Sequence, residues 1–158
     1  MTIAVDFDGT IVEHKYPAIG KEIPFAIDTL KELVEENHKI ILWTAREGKL
    51  LDEAVEFCRE RGLEFYAINA DYPDAQWDNY RQSRKPKVDM FIDDRNLGGL
   101  PDWVTIYEMI SSDLTFGDLI ERAAYGDLDE DEGGSFFENL RDSIIGGRHK
   151  KKSSRHHW

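Results

Sequence analysis

The sequence holds a single cysteine, Cys58, so no disulfide can form within the chain. No apolar run exceeds the length of a strand, which leaves no candidate membrane span. The first residues carry neither a basic region nor the long apolar stretch of a secretory leader. A reducing cytoplasm is the expected compartment. Basic residues are few: 20 Lys and Arg stand against 32 Asp and Glu, for a formal net charge of -12. A surface of that sign repels nucleic acid and acidic membranes, so polyanion binding by the core is not expected. No internal repeat is visible, and 158 residues suffice for one domain with a real core but not for two.

What is present is an alternation of strand and helix patterns. Ile3 to Phe7 reads as a strand, and Pro24 to Glu36 as an amphipathic helix with Ile27, Leu30, Leu33 and Val34 on one face. Lys39 to Trp43 reads as a second buried strand. Leu50 to Glu60 repeats the helical pattern, Gly62 closes it, and Glu64 to Ile68 is a third strand. Val88 to Ile92 and Val104 to Met109 are expected as strands four and five, and Thr115 to Ala124 as a last helix. The expected fold is therefore α/β, a parallel sheet of about five strands between two layers of helices. Cys58 repeats at helical spacing with Leu51, Ala54 and Val55, the pattern of a packed core thiol rather than a nucleophile.

Ligands of an open parallel sheet bind at the carboxyl ends of its strands, so the residues just past each strand matter most. The first strand ends on Asp6 and Asp8, the second on Thr44, and the fourth on Asp93 and Asp94, with Lys85 and Lys87 just ahead of it. Any one of these alone reads better as a loop-entry or capping residue, but that explanation is much weaker for the set. Carboxylates converging from several strands would repel one another unless a hard divalent cation such as Mg²⁺ neutralised them. With a Thr hydroxyl and a Lys ammonium beside it, such a cluster makes a phosphate site, and Gly9 would let backbone N–H groups approach the same phosphate. Two neighbouring carboxylates can divide the work between attack on phosphorus and proton transfer.

IAVDFDGT, then ILWTAR, then KPKVDMFIDDR resemble, in order and in strand context, motifs I to IV of the haloacid dehalogenase (HAD) superfamily over about residues 1 to 110. The resemblance implies a Rossmann-like core and a covalent aspartyl-phosphate mechanism. Asp6 would be the nucleophile and a Mg²⁺ ligand. Asp8 would be the general acid and base, its backbone carbonyl also touching the metal, and Asp93 would complete the metal site with Asp94 as its partner or substitute. Thr44 would bind phosphate, with Gly9, Thr10 and Ala45 beside it. Lys85 would be the phosphate-binding lysine, with Lys87 as its rival. Arg46 and Arg95 sit near the same edge, either on substrate or as solvated surface arginines. An Asp two residues after the nucleophile resembles the phosphatase pattern and argues against dehalogenation.

Neither interval that holds a cap domain in larger HAD enzymes is long enough for one here, so the chain resembles the small capless members. Their open site leaves room for a loop or a second copy of the chain to cover it. The aromatic segment around Tyr72, Trp77 and Tyr80 is the candidate lid, or else a plain packed loop. The expected activity is phosphomonoester hydrolysis on a small or accessible phosphorylated substrate. The alternative is a receiver-like, phosphate-binding regulatory domain whose tail binds partners. Residues 1–125 are read as the catalytic domain and 126–158 as a poorly ordered tail, acidic first and then basic. His149, His156 and His157 in that tail lack a second ligand cluster and are not read as a metal site.

Overall fold

A computed structural model describes residues 1–75, 83–115 and 117–118. The expectations for Trp77 and Tyr80, for most of the last helix and for the tail lie outside the described residues. The chain divides into two units, Met1–Trp103 and Val104–Trp158, and the sheet lies in the first.

In chain order the elements are β1 (Thr2–Val5), α1 (Ala26–Glu35), β2 (Lys39–Leu42), α2 (Gly48–Arg59), β3 (Ala67–Ile68), β4 (Met90–Ile92) and α3 (Trp103–Ser111). The strands form a single parallel sheet in the order β3-β2-β1-β4. Ile3, Ala4 and Val5 of β1 and Ile40, Ile41 and Leu42 of β2 are all buried, so both faces of the central strands are covered. That is why these segments read as continuous apolar runs instead of alternating ones. On α1, Ala26, Ile27, Leu30 and Leu33 turn inward, whereas Val34 is exposed. Cys58 on α2 is fully buried, and burial pushes its thiol up to about 12. Gly62 takes φ +83 just past α2, where Leu63 N–H reaches back to Cys58 O at 3.0 Å and closes the helix.

β3 and β4 begin at Ala67 and Met90, later than the expected Glu64 and Val88, and two other elements depart from the sequence reading. The strand expected to run to Phe7 stops at Val5, because Phe7 O accepts the N–H groups of Ile11 and Val12 at 3.0 and 3.1 Å. The chain therefore turns immediately after Asp6. The fifth strand expected at Val104 to Met109 is helix α3, and the described residues hold four strands. The β-branched run Val104-Thr105-Ile106 favours extended structure, but the buried positions Trp103, Ile106 and Ile110 recur at helical spacing, and Asp102 stands where helices prefer a capping residue. No helix among the described residues is long and apolar enough to cross a membrane.

Candidate active site

All four strands point the same way, so their carboxyl ends share one edge. From β1 the chain runs outward through β2 to β3 and then crosses back to β4 on the other side of β1, and this reversal of strand order opens a crevice at the edge. Asp6 is the first residue past β1, its N–H bonded to Ile92 O at 3.0 Å, and Asp93 is the first past β4. Asp6, Asp93 and Asp94 each bring a carboxylate oxygen within 4.8 Å of the others. Burial pushes the Asp6 carboxyl up to about 6; the Phe7 N–H opposes this, and the charges of Asp93, Asp94 and Asp8 add to it.

Asp94 Oδ1 is buried with no hydrogen-bond partner. A buried carboxylate oxygen without a donor is costly, and together with an all-oxygen donor set it fits a hard divalent cation. Gly9 makes room for this arrangement. At φ +93, a Cβ on residue 9 would overlap the Asp94 carboxylate. Thr10, completely buried, ties the two acids together: its hydroxyl donates to Asp6 Oδ2 at 3.4 Å and accepts from Asp94 N–H at 3.1 Å. Trp103 fixes the same turn through its indole N–H, 3.0 Å from Thr10 O.

Asp8 faces a different partner. Arg46 Nε and Nη2 reach its two carboxylate oxygens at 2.7 Å each, while Nη1 and Nη2 donate to Pro17 O at 3.1 Å and Ala18 O at 2.9 Å. Arg46 is 1% exposed, so it is not the solvated arginine that one sequence reading allowed. The Asp8 hydrogen bonds raise its guanidinium pKa further above the usual arginine value. Its Cζ lies 5.0 Å from the Phe7 ring centroid and 5.4 Å from that of Tyr16.

The crevice encloses a cavity of about 510 Å³. Asp6, Asp8 and Asp93 line it on the acidic side, with Thr44, Ala45 and Arg46 from the loop after β2. Thr44 N–H donates to Asn69 Oδ1 at 2.8 Å, and its hydroxyl accepts the Arg46 N–H at 3.2 Å, which leaves the hydroxyl proton for a ligand. His14, Tyr16, Trp43 and Arg95 complete the lining. Arg95 N–H donates to Asp93 Oδ1 at 2.8 Å, and its guanidinium donates to His14 Nε2 at 3.3 Å. Lys85 and Lys87 do not line this cavity. Both are exposed, with Lys85 Nζ 5.0 Å from the Phe91 ring centroid and Lys87 N–H on Asp71 Oδ1.

A scan against protein-family models finds no match, and a search of curated proteins finds none. Among solved structures, a conserved protein coded by a locus from Bacteroides thetaiotaomicron is 66% identical, with a TM-score of 0.70 over 75% of this chain and 96% of that one. This chain belongs to that protein's family. The membership carries the α/β fold and leaves the chemistry to be argued from the cleft.

Sequence reasoning missed three wall residues, His14, Tyr16 and Trp43, and the support from Asn69. Asn69 follows β3 directly, in the left-handed region at φ 50, so the rule that found Asp6, Thr44 and Asp93 would have found it too. His14 and Tyr16 lie on an irregular loop with no periodicity to place them.

Proposed function

We propose that the chain is a Mg²⁺-dependent phosphomonoester hydrolase of the HAD type, capless, working through an aspartyl phosphate on a small phosphorylated substrate. The reading rests on one observation: Asp6 sits with Asp93 and Asp94 at the sheet edge, beside a buried Asp94 oxygen that has no hydrogen-bond partner. Asp6, Asp93 and Asp94 would hold Mg²⁺, which supplies positive charge to the phosphate oxygens. Asp6 attacks phosphorus and the P–O bond to the leaving alcohol breaks. Asp8 gives that oxygen a proton. Asp8 then takes a proton from water, whose oxygen attacks phosphorus, releasing phosphate and restoring the Asp6 carboxylate. Thr44 donates its hydroxyl proton to a phosphate oxygen, and Arg95 offsets charge at the mouth.

The Arg46 clamp also favours the second reading. A proton relay through Asp8 needs one carboxylate oxygen free, and Arg46 holds both. If the clamp persists with phosphate bound, the aspartyl phosphate is long-lived and the domain acts as a phosphate-operated switch. Following both products over many turnovers with Mg²⁺ separates the two: a hydrolase releases alcohol and phosphate linearly past many enzyme equivalents, and a switch releases about one equivalent of alcohol and keeps the phosphate on Asp6. Asp6→Asn turning over at the wild-type rate excludes both.

A further inference from the structure

We infer that the cleft takes phosphomonoesters whose alcohol carries a planar aromatic or heteroaromatic ring, with Tyr16 and Trp43 as its stacking wall. This rests on the phosphohydrolase reading for the placement of the phosphate at Asp6. The lining mixes two chemistries: carboxylates follow β1 and β4, Trp43 follows β2 at the same edge, and His14 and Tyr16 come from the loop after β1. Tyr16 lines the cleft and is 55% exposed, so its ring is open to a ligand held there.

Its position is nevertheless fixed. Arg46, held by Asp8 and by two backbone carbonyls of residues 17 and 18, lies against the Tyr16 ring, and the carbonyl it grips at Pro17 belongs to the next residue. An aromatic ring held in place before binding loses little freedom when a second ring stacks on it. Arg46 touches both Asp8 and the Tyr16 ring, so the ring borders the part of the cleft that holds Asp8. A cavity of about 510 Å³ accommodates a phosphate with a ring-bearing group. Arg95 and His14, at the mouth, offer donors to ring nitrogens or carbonyls.

Aromatic residues also flank sugars, so the test compares esters of one alcohol with and without the ring. AMP and UMP share with ribose 5-phosphate the same primary 5′ ester, and only the base differs. With Mg²⁺ present, kcat/KM for AMP is expected to exceed that for ribose 5-phosphate by about 5- to 150-fold, the range that stacking of one base provides. Trp43→Ala and Tyr16→Ala each shrink that ratio toward one, and Trp43→Phe restores most of it. A 3-phenylpropyl phosphate against propyl phosphate distinguishes a bare aromatic group from a nucleobase, and a ring preference in either pair supports the inference. Equal kcat/KM within both pairs overturns it while leaving the hydrolase reading intact. Calorimetric titration of the Asp6→Asn protein with AMP and with ribose 5-phosphate reads binding without turnover. Preferential AMP binding there, with no hydrolysis of any ester by the wild type, removes the hydrolase reading and keeps the ring selectivity; equal or absent binding of both removes the selectivity.

Discussion

Arg46 closes on Asp8 through two hydrogen bonds of 2.7 Å each and is almost wholly shielded from water. Removing one partner of a buried pair strands the other charge. Arg46→Met is therefore expected to cost about 3–5 kcal/mol of stability in urea denaturation. Lys49→Met, which breaks the exposed pair with Glu53, should cost less than about 1 kcal/mol. Adding Asp8→Asn to Arg46→Met should recover part of the loss, because the orphaned charge goes with it. A loss no larger than that of Lys49→Met would contradict the buried-clamp description.

Why the strand-end acids were readable while Arg46 was not is a matter of range. Asp6 and Asp93 follow short apolar runs that alternate with helical patterns, so their position at the sheet edge follows from local pattern. Arg46 is buried because carbonyls of Pro17 and Ala18, nearly thirty residues away, fold over it, and no local pattern encodes that. Lys85 illustrates the reverse case: motif order placed it at the site, yet it lies against Phe91 outside the cavity lining. Helix α3 forms against the extended preference of its β-branched Val104-Thr105-Ile106 because Trp103, Ile106 and Ile110 are buried at helical spacing.

Gly9 has no tolerable substitute. Gly9→Ala sets a Cβ onto the Asp94 carboxylate in a backbone region that L-residues rarely adopt. The expected loss is about 1–3 kcal/mol of stability in urea denaturation, together with weaker divalent-cation binding measured by calorimetry. Unchanged cation affinity would show that Asp94 does not need its present position.

Cys58 should be inert in the folded protein. Its thiol is fully buried and pushed up to about 12, so at pH 8 almost no thiolate exists to react. A disulfide reagent at pH 8 is expected to label less than about one tenth of the protein in the time that labels it fully in denaturing urea. Rapid labelling without denaturant would mean that α2 opens locally far more often than its packing implies.

Asp6 should make the metal-free protein less stable as pH rises. Its folded carboxyl is pushed up to about 6, above the ordinary carboxylate range, chiefly because it is buried. Below the unfolded value both states are protonated and nothing is lost. As pH climbs through 6 the folded state must carry a charge that it accommodates poorly, and the stability associated with the neutral form disappears. Asp6→Asn keeps the neutral form at every pH. In chelator, its stability relative to wild type is expected to be about 1 kcal/mol more favourable at pH 7.5 than at pH 4, once solvent screening is allowed for. Saturating Mg²⁺ should reverse the order at pH 7.5, since the cation stabilises only the protein whose charged cluster it neutralises. A difference between variant and wild type that is the same at both pH values would remove the burial of an ionising Asp6 from the description, whatever Mg²⁺ then does.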